Sequence, residues 1–238
     1  MRSLRLKKYR EEHRQLVIEG EKIITDLLQH HPESIIEIIG AESPEVHSFY
    51  PDIPYRMTTA TTLKSLSHWK TPPRWIAVCK YPDHPSKIAP QPLLLFLNDI
   101  QDPGNMGTII RTANWFGHRH IIASPRCADR YSPKVIQSSM GTVLDMHIEV
   151  LDWYEMVEKY TDHRTIAAHM QGAPITRFLP SQKDLVVIGN EGGGVSNEIL
   201  EKVDEKLLIP GAKNQMAESL NAAISSAIIC HHWDANAC

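Results

Sequence analysis

Three stretches of this 238-residue chain combine glycines with polar side chains at a density that simple connections do not need. In the first, NDIQDPGNMGTIIRTANWFG (98–117), Pro103, Gly104 and Gly107 read as a tight, closely approachable turn ahead of a helix. Asn105 or Thr108 can cap that helix, and Arg111 follows on its first turns. A guanidinium there can grip a phosphate through two parallel hydrogen bonds. The competing reading is an ordinary surface arginine behind a capped turn.

The second stretch, LVVIGNEGGGVS (185–196), runs an apolar strand through Gly189 into Glu191 and then Gly192, Gly193 and Gly194. So many glycines make sense where backbone must approach a ligand or take positive φ. The spacing is neither GxGxxG nor GxxxxGK[ST], so neither a dinucleotide fingerprint nor a P-loop is supported. The third, LLIPGAKNQMAESLNAAISSAIICHHW (207–233), ends a strand at Ile209-Pro210. It then sets Glu218, Ser219 and Asn221 at the start of a helix read as Ser219–Trp233. That helix is filled with Ala and Ser, small enough for a neighbouring backbone to pack closely.

The elements that would position these loops alternate strictly. Strands are expected at Leu93–Leu97, His120–Ala123, Val143–Val150, Thr165–His169, Leu185–Gly189 and Lys206–Ile209. Helices are expected between them, one through Ile109, Ile110, Ala113 and Phe116 and others near 133–139, 153–160 and 197–203, with Gly117 at a C′ position. Such alternation predicts an α/β domain with a mostly parallel sheet covered by helices, whose ligands bind beyond the carboxyl ends of the strands. Residues 1–80 alternate on a smaller scale. A short strand is followed by a helix through EKIITDLLQ, and strands are expected at Ser34–Ile39 and Ile76–Cys79. Residues 81–92 carry four prolines, which disfavour helix and central strand, and read as a linker between domains 1–80 and 93–238.

Composition narrows the class. No apolar run approaches the length of a membrane span, and the basic N-terminus MRSLRLKKYREEHRQ has no apolar segment behind it, so a cytoplasmic protein is expected. Four dispersed cysteines read as thiols, and thirteen histidines show no ligand spacing, so no metal is expected. The net charge of −3 divides unevenly. Residues 1–90 hold 13 Lys/Arg against 11 Asp/Glu, and residues 91–238 hold 12 against 17. A local basic patch on the N-terminal part can still grip phosphates.

Taken together, NDIQDPGNMGTIIRTA, GNEGGGVS and IPGAKNQMAESLNAAISSAI resemble, in order, the three motifs of the SpoU (TrmH) branch of the SPOUT methyltransferases. AAHMQGAP (167–174) resembles a further family stretch, and residues 1–80 resemble the small ribosomal-protein-like domain that precedes the catalytic domain in ribosomal-RNA members. The resemblance implies an α/β fold whose C-terminal, parallel-sheet domain contains a deep trefoil knot, behind a small α/β RNA-binding domain. It implies S-adenosylmethionine (SAM) as cofactor, transfer of its methyl group to a ribose 2′-hydroxyl, and a homodimer. Ribosomal RNA is the favoured substrate and transfer RNA the alternative; a non-catalytic RNA-binding protein on the same scaffold is the rival from another class.

Carried over residue by residue, the resemblance makes Arg111 the central catalytic residue. Asn105 holds its loop, Glu191 orders the second loop, and Ser219 and Asn221 line the site. Gly189, Ile209, Leu220, His169 and Met170 would contact SAM. The chain departs from the family pattern in a segment between Ile209 and Leu220 that is about two residues longer than in many relatives and carries Lys213 and Asn214.

Overall fold

The computed structural model describes residues 1–41, 50–83, 91–181, 183–212 and 216–236. Lys213 and Asn214 of the longer segment lie outside them, as do residues 84–90 of the expected linker.

The N-terminal part forms a four-stranded sheet from β1 (Gln15–Glu19), β2 (Ile35–Gly40), β3 (Tyr55–Met57) and β4 (Trp75–Lys80), in the order β1-β4-β2-β3. Among the described residues three helices attend it: α1 (Lys7–His13), α2 (Glu21–His30) and α3 (Ala60–Leu66). Ile23, Ile24, Leu27 and Leu28 recur at helical spacing and give α2 its buried stripe. The sequence did not suggest α1, β3 or α3. Helices α1 and α3 are one or two turns long and bury one side chain each, Arg10 and Leu63, so neither carries an apolar period.

The C-terminal part is a six-stranded, all-parallel sheet in the order β10-β8-β9-β5-β6-β7. Its strands are β5 (Leu93–Leu97), β6 (His120–Ala123), β7 (His147–Val150), β8 (Arg164–Pro174), β9 (Asp184–Ile188) and β10 (Glu205–Leu208). The helices are α4 (Pro103–Trp115), α5 (Pro133–Ser138), α6 (Trp153–Lys159), α7 (Asn197–Leu200) and α8 (Ala222–Ala235). Strands β5 and β9 are buried at every residue, as the apolar runs without polar alternation require for a sheet covered on both faces. One buried cluster runs continuously from Leu16 of the small sheet and Ile24 of α2 through Val135 and Ile136 of α5 to Met106 and Ile110 of α4. The two sheets therefore share a core. A buried arginine, Arg10, reinforces the seam by pairing with Asp129. Among the described residues no helix is long and apolar enough to cross a membrane.

Several local expectations need correcting. Helix α4 begins at Pro103, capped by Asp102, whose Oδ1 accepts from the Asn105 amide at 2.8 Å. Asn105 and Thr108 are therefore inside the helix, and Gly104 and Gly107 form no turn. Gly107 is needed for another reason: a Cβ there would sit 2.0 Å from Ser138 Oγ and 2.7 Å from the Val135 carbonyl oxygen of α5. The last helix starts at Ala222, because Asn221 itself accepts from the amides of Ala223 and Ile224. Ser219 precedes it in irregular, exposed chain. The strand expected from Val143 is a 3-10 turn at Thr142–Asp145 followed by β7. Helix α7 is a single turn ending at Leu200.

Candidate active site

The three glycine-rich stretches, which follow the carboxyl ends of β5, β9 and β10, meet. Asn105 on the first turn of α4 donates from Nδ2 to Glu191 Oε1 at 2.5 Å. Its Oδ1 accepts from Asn221 Nδ2 at 2.9 Å. Donor and acceptor sides of one amide thus join the loops after β9 and β10 to the start of α4. Asn221 is at the same time the N-cap of α8, so its side chain is held at both ends.

The loop after β9 is bent so tightly that only glycine fits at its start. A Cβ on Gly189 would lie 2.2 Å from the carbonyl carbon of Gly194 and 2.3 Å from the Val195 nitrogen. The bend closes by paired backbone hydrogen bonds between Asn190 and Gly194, the latter at φ +64. Gly192 and Gly193 need no positive φ and crowd nothing closer than 3.4 Å; they leave backbone bare on the surface of the turn. Asn190, which sequence reasoning passed over, braces the loop. Its Oδ1 accepts from the Gly192 amide at 2.8 Å and its Nδ2 donates to the Asp99 carbonyl oxygen at 2.7 Å. An asparagine before a glycine run is the signal that marks such a turn.

Strand β8 outruns its expected end because of its partner. Lys206 of β10 pairs with Ala167, yet the next residue, Leu207, pairs with Ala173. Residues 168–172 bulge out of the ladder between those pairs and carry His169 and Met170 with them. Gly172 allows the return, since a Cβ there would lie 2.5 Å from the Leu207 backbone.

This bulge, the loop after β9 and the segment leading into α8 enclose a cleft of about 450 Å³. His169, Met170, Gly189, Ile209 and Leu220 all line it, together with Glu191 and Ser219. Asn105, Asn221 and Arg111 are not among its lining residues. Arg111 lies six residues beyond Asn105 on α4, exposed, and forms no hydrogen bond or ion pair among the described residues. The arrangement offers a hollow walled by backbone, apolar groups and few charges, with an available guanidinium on the neighbouring helix.

Residues 92–231 match the family model described as the SpoU rRNA methylase family, and residues 1–77 match the MRM3-like substrate binding domain. The chain is 30% identical over 239 residues to the 23S rRNA (guanosine(2553)-2′-O)-methyltransferase RlmP of Bacillus subtilis, covering 97% of this chain and 93% of that one. A TrmH-family protein from Porphyromonas gingivalis superposes with a TM-score of 0.80 at 31% identity, over 98% of this chain and 94% of the other. AviRb from Streptomyces viridochromogenes, a SpoU methyltransferase solved with AdoMet, has the same fold, with a TM-score of 0.84 at 22% identity over 99% and 96% of the two chains. With the family model spanning more than half its length and its three motif loops tied together at Asn105, the chain belongs to the SpoU rRNA methylase family.

Proposed function

We propose that the chain methylates a ribose 2′-hydroxyl of ribosomal RNA, using SAM held in the cleft of His169, Met170, Gly189, Ile209 and Leu220. The observation that carries this reading is the Glu191–Asn105–Asn221 tie, which fixes the cleft against α4. The cleft fits the cofactor: the tight bend at Gly189, where a Cβ would collide with the Gly194 and Val195 backbone, shapes its wall, bare backbone at Gly192 and Gly193 can meet polar edges, and Leu200 and Leu207 supply apolar contact. When bound, SAM supplies a methyl group on a sulfonium, which leaves as a neutral thioether when the attacking oxygen takes the methyl in line.

This chain's own residues then orient the acceptor and manage its proton. A guanidinium carries only hydrogen-bond donors and no acceptor, so Arg111 acts as donor and not as base. It clamps a phosphate of the RNA and stabilises the oxygen as its charge develops, and the proton passes to phosphate or water. Asn105 keeps α4, and Arg111 with it, in register with the cleft. Glu191 orders the loop, and Ser219 lines the approach. None of these steps calls on a metal.

Residues 1–80 act as the RNA-binding domain and 93–238 as the catalytic domain, with 81–92 as linker. The RlmP relative of B. subtilis, named for methylating 23S rRNA, supports the choice of RNA. The trefoil knot belongs to the same proposal: chain leaving β10 at the sheet edge must return past the β9 loop for α8 to pack on α4 and β9. So does the homodimer, supported by exposed apolar side chains at the end of α4 and about the start of α8, Trp115 at 83%, Ile224 at 51% and Leu220 at 47%. A cytoplasmic location fits the free thiols Cys79, Cys127 and Cys230. Calorimetry with SAM, followed by methyl transfer to ribosomal RNA from cells lacking the protein, tests the assignment. Product nucleosides carrying the methyl group on a base, or no transfer at all, would overturn it.

A further inference from the structure

A second cavity opens on the same edge of the large sheet, on the other side of β5. It has a volume of about 280 Å³ and is floored by Ala123 and Val150, at the ends of β6 and β7, and by Met106 of α4. Lys7 and Glu11 of α1 and Tyr81 after β4 form its opposite wall, so both parts of the chain build it. Arg130 also lines it, with its guanidinium over the Tyr131 ring at 5.2 Å. The Nε of Arg130 is buried and has no hydrogen-bond partner among the described residues. A buried donor of that kind is costly where it stands, so the side chain gains by turning towards an acceptor in the cavity.

The carboxylates nearby are already matched. Asp129 is paired with Arg10, and Glu11 stands 3.7 Å from Lys7. What remains is an apolar floor, two aromatic rings in edge contact at 4.7 Å, and the Arg130 guanidinium, whose Nε has no partner among the described residues. Arg14 lies over the Tyr81 ring at 4.9 Å, adding a second guanidinium beside it. Single-stranded RNA is recognised by groups of this type: a splayed base stacks on rings or guanidinium planes and is read along its acceptor edge.

The cavity is also braced to the SAM cleft. Asp99, at φ 60, offers its carbonyl oxygen to Asn190 of the cleft loop and its carboxylate to Ser124 and Arg126 of the loop bordering the cavity. The two hollows are therefore held at a fixed separation across the start of α4.

We propose that this cavity receives one unstacked nucleobase of the RNA, next to the nucleotide being methylated, with its acceptor edge on the Arg130 guanidinium. Resting on the methyltransferase reading above, this makes Arg130, Tyr81 and Lys7 substrate-positioning residues at the seam of the two parts. RNA gripped by the small domain crosses the cavity on its way to Arg111.

The test uses the full chain and ribosomal RNA from cells lacking the protein. Arg130→Met keeps the aliphatic stem and removes the donor. Lys7→Glu, on the exposed face of α1, reverses the charge at the wall where folding is not at stake. Both variants are expected to bind SAM as the wild type does by calorimetry. Arg130→Met should raise KM for the RNA roughly tenfold to a hundredfold, the loss expected for a charged hydrogen bond. Ribosomal RNA transcribed with 4-thiouridine should photocrosslink to a peptide containing Tyr81 or residues 125–131. An unchanged KM in both variants, or crosslinks confined to other peptides while methyl transfer proceeds, overturns the base pocket and leaves the methyltransferase reading standing. A wild-type protein that transfers no methyl group to RNA removes both.

Discussion

Asn221 Nδ2 and Asn105 Oδ1 meet at 2.9 Å although 116 residues separate them in the chain. The contact joins the N-cap of α8 to the first turn of α4, and Glu191 completes it from the β9 loop. Replacing Asn105 with Ala strips both neighbours of their partner, and Asn105→Asp sets a second carboxylate against Glu191. Each change is expected to weaken SAM binding roughly tenfold or more, the aspartate more than the alanine. A double-mutant cycle on Asn105 and Asn221 should return a coupling of about 1 kcal/mol in SAM affinity. Additive effects would mean the contact does not shape the cleft.

Arg111 separates binding from chemistry. It has no protein partner among the described residues, so Arg111→Ala should leave both thermal stability and the SAM dissociation constant near wild type. Methyl transfer should fall roughly a hundredfold or more, as when a transition-state donor is removed. Near-normal turnover in single-turnover kinetics would contradict the role given to it.

Gly189 tests the cradle itself. Because an added Cβ would lie 2.2 Å from Gly194, Gly189→Ala must push the loop away from β9 and pull Glu191 off Asn105. Loss of SAM binding with the fold retained, as read by circular dichroism, is the expected outcome. Gly193→Ala, whose Cβ meets no protein atom within 4 Å, leaves the loop in place and should weaken SAM binding far less.

Acid should loosen the protein at a place remote from the cleft. His120 is buried at the start of β6 and faces His147 and Glu149 of β7 and Lys159 and Tyr160 from α6 and its end. Burial first, and His147 next, push its pKa from 6.5 down to about 4. His147 is lowered too, again chiefly by burial. Below pH 6.5 the unfolded chain takes up protons that the folded imidazole refuses, so stability should decline as pH falls from about 6.5 towards 4. His120→Phe should flatten that part of a Tm-against-pH curve; an unchanged slope would rule His120 out as its source.

Asp184 anchors the far end of α8. Its buried carboxylate takes hydrogen bonds from Arg164, Ser181 and the Trp233 indole, which hold its pKa below the usual carboxylate range against the opposing effect of burial. Asp184→Ala leaves Arg164 and Trp233 facing an uncompensated gap, and a loss of about 3–5 kcal/mol in denaturant unfolding is expected. A Tm within a degree or two of wild type would show the network to be dispensable.

Sequence patterning made much of the architecture readable because the strands of the large sheet are covered on both faces. β5 and β9 stand out as unbroken apolar runs, and α2 as an amphipathic stripe. The site residues could be nominated because glycine and polar groups in loops are conspicuous. Which of them touch could not: Asn105 looks like a helix cap until Asp102 is seen to hold that position. The bulge that delivers His169 and Met170 was hidden for a similar reason. It arises from a slip in pairing between β8 and β10, and register between distant strands leaves no periodic trace in either. Ser219 and Leu220 were placed inside a helix that begins two residues after Leu220, since the Ala/Ser run does not announce where its cap falls.

Asp99 occupies a left-handed backbone conformation that glycine adopts with far less resistance. Substituting glycine there would ease the main chain while cutting the links to Ser124 and Arg126. The gain in comfort and the loss of alignment would register in different experiments. Such a variant should melt no earlier than its parent yet show a raised KM for its RNA.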